Sequence, residues 1–131
     1  MASSETGNVI ASYRDLSVWK RAMQLAGASY SVAARLPASE RYALADQIRR
    51  SATSIPANIA EGHARKYRAD YARFVSNARG SLAELETHLL LAVSLGLAPE
   101  RDVEFALALA SETGRMLTAL SKALRPVTPR S

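Results

Sequence analysis

The feature that most constrains this chain is a spacing. Apolar residues recur at alternating steps of three and four in four successive blocks, and short runs containing proline or glycine separate the blocks. That rhythm is the period of a helix with one covered face, and strands, which alternate every second residue, do not produce it. It predicts helices at about 15–36, 39–62, 67–95 and 99–124 and essentially no strand. Alanine is the most frequent residue, and it both favours helix and lets helix axes approach closely. Four long helices with short connections make an all-α, antiparallel up-down four-helix bundle the simplest fold.

The blocks also suggest what lies inside. Asp15 is the expected cap of the first helix, with Leu16, Trp19, Met23, Ala26, Tyr30 and Ala33 as its main stripe. A second set, Val18, Ala22, Leu25, Ser29, Val32 and Leu36, keeps the same rhythm on a neighbouring face. Pro37 stops this helix, and Ser39 is the expected cap of the next. Leu44, Ile48, Ala52, Ile55 and Ile59 form the second stripe, with Gly62 as its end. Pro56 falls inside it, removing a backbone donor and crowding the carbonyl of Ala52. Because the apolar steps keep register across the proline, one bent helix is expected, with Ser51, Thr53 and Ser54 satisfying carbonyls at the bend. Tyr71, Phe74, Ala78, Leu82, Leu85, Leu89 and Ala92 point inward from the third helix, which stops at Gly96. The fourth, opened by Pro99, repeats the heptad through Val103, Leu107, Ala110, Gly114, Leu117 and Leu124. Phe105, Leu109, Met116 and Leu120 lie off that stripe.

At 131 residues the chain has the length of one domain, with 48% apolar and 22% charged residues, enough to bury a full core. Residues 1–12 and 125–131 read as flexible tails around a bundle over 13–124. Cysteine is absent, which excludes disulfides, thiolate zinc sites and cysteine nucleophiles and fits a cytoplasmic location. No signal peptide and no apolar run long enough for a membrane span can be read.

Catalytic motifs are missing. The histidines, His63 and His88, are far apart. Glu84 and His88 share a helix face, but a carboxylate metal site in a bundle needs Glu-x-x-His on two helices, so a surface ion pair is the expected arrangement. There is no P-loop, dinucleotide turn or nucleophile elbow. No catalytic residue, cofactor or metal is therefore assigned.

Two polar features remain. Gln47, Ser51, Ser54, Asn58 and Glu61 follow the heptad step beside the second stripe. They form either a recognition seam or a hydrogen-bonded strip that serves the backbone. The net charge is +5. Between residues 49 and 79, Arg49, Arg50, Arg65, Lys66, Arg68, Arg73 and Arg79 outweigh Glu61 and Asp70. The surplus in this segment alone matches the charge of the whole chain. Tyr67 and Tyr71 are interleaved and suit base stacking where exposed. The segment is either a phosphate-binding face or an ordinary solvated one.

Finally, DLSVWKRAMQLAGASY, LPASERYALADQIRRSATSIPANIAEG and FVSNARGSLAELETHLLLAVSLG resemble, in order and spacing, the family of proteins encoded by intervening sequences of large-subunit ribosomal RNA. The match spans roughly 13–124. Its most specific parts are Gln47-Ile48-Arg49-Arg50, Ser54 to Gly62 (SIPANIAEG) and Ala78-Arg79-Gly80-Ser81. Many members have a second glycine after IAEG, where this chain has His63, so a longer turn into the third helix is expected. The resemblance implies an up-down four-helix bundle that assembles as a ring-shaped homopentamer. Similar proteins are accessory factors of diversity-generating retroelements, in which a basic pentamer engages nucleic acid and a reverse transcriptase. Most members have no established biochemical activity. The expectation is a non-enzymatic oligomer that binds RNA or DNA. The alternative is a scaffold for an acidic protein partner without nucleic acid.

Overall fold

The computed structural model describes residues 12–126; residues 1–11 and 127–131, which hold nearly all of both expected tails, lie outside the described residues. Four helices make up the body: α1 (Ser17–Arg35), α2 (Leu44–His63), α3 (Arg68–Ser94) and α4 (Glu100–Ala123). No strand occurs among the described residues. Short 3-10 turns over Tyr13–Asp15 and Ala38–Glu40 precede α1 and α2.

The helix starts differ from expectation. Asp15 does not cap α1: it sits in the first 3-10 turn, where Ser12 Oγ accepts from the Arg14 amide and the Asp15 carboxylate accepts from the Ser12 amide. Ser39 likewise lies in a 3-10 turn, so α2 begins at Leu44 rather than 39, with the Glu40 carboxylate accepting from the Leu44 amide at 3.3 Å. In both places a carboxylate at the end of a short turn takes up donors that a helix start leaves open. The stop at Gly96 is as expected. Gly96 has φ +74°, and the amides of Gly96 and Leu97 return to the carbonyls of Val93 and Ala92, a left-handed cap that glycine adopts without strain.

α2 packs on α1 and α3, and α4 closes the arrangement against α3 and α1, so each helix covers two neighbours. Residue order runs oppositely across the α2–α3 contact: Ser51 meets His88, Ser54 meets Ser81, and Gly62 meets Phe74 and Tyr71. Arg21–Glu112 and Arg35–Asp102 show the same reversal between α1 and α4.

The core contains the whole α2 stripe, and Ile48, Ile55, Ile59, Leu85, Leu89 and Leu117 are wholly buried. On α1 the second stripe is the more deeply buried, while Leu16, Trp19 and Ala26 of the first pack partly buried against the core and Ala33 is buried. Val18, Ala22, Leu25, Ser29, Val32 and Leu36 are buried, whereas Met23 and Tyr30, from the expected main stripe, are 48% and 46% exposed. Both sets have the same period, so only the rotation of α1 against α2 and α4 distinguishes them. On α4, Leu109 joins the core and Phe105 stays 68% exposed.

α2 continues through Pro56 as one helix. The hydroxyls near the proline act one turn earlier than expected. Ser51 Oγ donates to the Gln47 carbonyl at 2.9 Å and Thr53 Oγ1 to that of Arg49 at 3.1 Å, while Ser54 Oγ turns to Ser81 instead. Gly62 is not the end of α2, which runs on to His63. A Cβ there would lie 2.7 Å from the Phe74 Cβ, so glycine is required for α3 to approach.

Candidate nucleic-acid interface

The basic segment is continuous in sequence but divided in space. Arg49 and Arg50 lie near the start of α2; Arg65 lies just past its end, 16 residues on. At 1.5 Å per residue that is about 24 Å, some three screening lengths at physiological salt. The two groups are therefore electrostatically separate.

The first group is internally engaged. Asp46 pairs with Arg50 at 2.9 Å and with Arg49 at 3.8 Å, and Arg49 Nη2 also donates to the Arg41 carbonyl at 2.9 Å.

The second group surrounds the α2–α3 turn. Arg65 pairs with Glu61 at 3.0 Å, and Arg73 with Asp70 at 3.8 Å. Both guanidiniums also lie over the Phe74 ring, 4.7 and 4.6 Å from its centroid. Lys66 sits 5.5 Å over the ring of Tyr67 and makes no ion pair among the described residues. Arg68 donates through Nη2 to the Ala123 carbonyl, joining the start of α3 to the end of α4. This contact brings Lys122 and Arg125 to the same end of the bundle. Both are exposed, and neither forms an ion pair among the described residues. Sequence reasoning missed them because they are more than fifty residues from Arg68; the signal was Lys122 in the last turn of the fourth block, with Arg125 just beyond it.

The two tyrosines part company. Tyr67 is 63% exposed. Tyr71 is half-buried, edge-on to His63 with ring centroids 5.7 Å apart, and burial raises its pKa above 10.0. Tyr67 is the solvent-exposed ring of the two, with Lys66 over it, while Tyr71 is half-buried as its place in the third stripe predicts.

Arg79 stands apart from the turn. It lines a groove between α3 and α4 with Leu82, Glu86, Gly114, Arg115 and Thr118. Among the described residues Arg79 makes no ion pair, and Arg115 donates to Ser111 Oγ at 2.9 Å.

The polar row on α2 proves to be an internal strip. Ser54 and Ser81 hydroxyls lie 2.7 Å apart, Asn58 Nδ2 donates to the Ser54 carbonyl and hydroxyl, and Ser51 is 3.5 Å from His88 Nδ1. Gln47 and Glu61, at its two ends, remain exposed. His88 thus faces Ser51 and makes no ion pair with Glu84, a correction to the surface pair expected there. Among the described residues no three His, Cys, Asp or Glu side chains gather as a metal site requires, and no helix is long and apolar enough to cross a membrane.

These features define a class: a four-helix bundle with a basic end and no metal-ligand cluster among the described residues. The family described as 23S rRNA-intervening sequence protein matches residues 14–119, and the chain belongs to it. A crystal structure of a protein of unknown function from the S23 ribosomal protein family, from Bacteroides thetaiotaomicron, is similar with a TM-score of 0.72 and 24% identity. That match covers 80% of this chain and 98% of the other, and it speaks for the fold. Among curated proteins, none matches the chain.

Proposed function

We propose that this chain is a non-enzymatic, antiparallel up-down bundle that assembles as a ring-shaped homopentamer and binds RNA or DNA through charge. The observation that carries the nucleic-acid reading is the gathering of Arg65, Lys66, Arg68 and Arg73 with Lys122 and Arg125 at one end of the bundle, beside the exposed ring of Tyr67. Phosphate binding of this kind gains its free energy from released counterions and carries little sequence preference. Self-association is supported by apolar side chains left in solvent: Met23, Tyr30, Phe105, Leu90, Leu91 and Leu95. The subunit number five comes from the family resemblance. A ring would set several basic ends side by side and multiply a weak contact.

Fluorescence anisotropy with a labelled oligonucleotide tests the reading. Affinity should fall steeply as salt rises, and Arg65→Glu with Lys66→Glu should weaken binding and lower the salt slope by about 2. Absence of binding at low salt overturns it. In that case, capture of a single acidic polypeptide would support the protein-scaffold alternative.

A further inference from the structure

Six arginines of this protein are paired with carboxylates, and a further group of cations is not. Arg21, Arg35, Arg49, Arg50, Arg65 and Arg73 each face a carboxylate within 4 Å. Arg68, Arg79, Arg115, Lys122 and Arg125 are all exposed, and none of them forms an ion pair among the described residues. The field of a paired cation is largely cancelled by its neighbour, whereas an unpaired one acts at full strength over a screening length.

Arg14, Lys20, Arg41, Lys66 and Arg101 are also exposed and unpaired among the described residues; the five above are distinguished by following α3 and the C-terminal half of α4. Arg68 and Arg79 are eleven residues apart, three turns, so they share a side of α3 about 16 Å in length. Arg115 and Lys122 are seven apart, two turns, and share a side of α4. Arg79 and Arg115 line the same groove between α3 and α4, and Arg68 reaches the α4 backbone at Ala123, beside a second hollow lined by Lys66 and Tyr67. Arg125 lies just beyond the end of α4. The floor of the groove is low because Gly114 has no side chain there; a Cβ would meet Leu82 Cδ2 at 3.2 Å. Nearby carboxylates are turned elsewhere: Glu112 pairs with Arg21 of α1, and Asp70 with Arg73. Glu86 lines the far end of the groove and marks where its basic part stops.

We infer that the α3–α4 groove holds the sugar-phosphate backbone of single-stranded RNA or DNA, with a base stacked on Tyr67 where the strand reaches the α2–α3 turn. This rests on the nucleic-acid reading above and adds the track and the form of the strand. A groove of unpaired cations follows a flexible backbone, and an exposed aromatic at its end offers a face to unstacked bases, which a duplex does not present. The arginines of α2 are not part of this track.

The test compares a labelled oligouridylate, an oligothymidylate and a hairpin duplex by anisotropy at fixed low salt, using the full chain and checking helicity of each variant. Arg79→Glu with Arg115→Glu should weaken single-strand binding about tenfold or more and lower the salt slope by about 2. Tyr67→Ala should weaken it about tenfold with the slope unchanged, because stacking releases no counterions. Arg49→Glu with Arg50→Glu, which alters charge by the same amount elsewhere, should have a much smaller effect. Wild-type affinity in the groove variant, or an equal loss in the α2 variant, overturns the track while leaving nucleic-acid binding intact. Duplex bound as tightly as single strands overturns the strand assignment. A wild-type chain that binds none of the probes overturns both readings.

Discussion

Gly62 and Gly80 show how one residue type takes opposite roles on neighbouring helices. A Cβ at Gly62 would meet the Phe74 Cβ at 2.7 Å, an atom fixed to the α3 backbone with no rotamer by which to withdraw, so the helices themselves would have to separate. Gly62→Ala should therefore destabilise the fold by about 2 kcal/mol, as overpacking of a close contact does. Gly80 has open space around its absent Cβ and sits in the interior of α3. Gly80→Ala should stabilise by about 0.5–1 kcal/mol, since alanine lacks glycine's backbone entropy. Urea denaturation of the two variants checks the pair. Equal effects would mean that the α2–α3 approach is looser than these contacts imply.

Pro56 poses its problem at the scale of the helix. Proline in a helix interior is about 3 kcal/mol worse than alanine, yet α2 runs unbroken through it. Its ring is buried and lines an apolar hollow with Trp19, Met23 and Ala60, which offsets part of that cost. Two ring methylenes beyond alanine contribute about 1.6 kcal/mol on burial, less than the backbone loses. Pro56→Ala should then raise stability by about 1 kcal/mol with unchanged helicity, read from the denaturation midpoint and circular dichroism. A loss of stability would show that the ring's packing outweighs the missing donor, and that the proline shapes the α1–α2 contact. The serine strip belongs to the same scale. Ser54 and Ser81 hold α2 to α3 through side-chain hydroxyls, so the row beside the apolar stripe joins two helices within one chain.

For the whole molecule the question is how much apolar surface one chain leaves uncovered. Val18, Leu25, Val32 and Leu109, which a narrow bundle would have left partly exposed, are buried within the single chain. The case for assembly passes to other residues. Phe105 on α4 is 68% exposed, Leu90 on α3 55%, and Leu95 just past α3 61%. Light scattering coupled to size exclusion should find a particle of several chains, and Phe105→Glu should shift it toward the monomer if α4 lies in the contact. A 14.1 kDa particle at micromolar concentration would end the assembly reading, while a dimer or tetramer would reject only the pentamer.

The sequence by itself determined the helices, their number, the α2 and α3 stripes and the stop at Gly96, because these follow from spacing and local backbone chemistry. It also carried the family, through motifs lying on α1, α2 and α3. What it left open was rotation and proximity. Two α1 stripes of identical period differ only in which one α2 and α4 cover. Gly62 has the same composition signal whether it ends a helix or admits one. The basic site was half legible: Arg65, Lys66 and Arg68 announce themselves as a run, but Lys122 and Arg125 join them only because the chain brings the end of α4 beside the start of α3. Arg49 and Arg50, adjacent in the same count of charges, are carried about 24 Å away along a rigid helix. Charge sums along a sequence do not know this, because a helix converts sequence separation into distance and packing converts distance into contact.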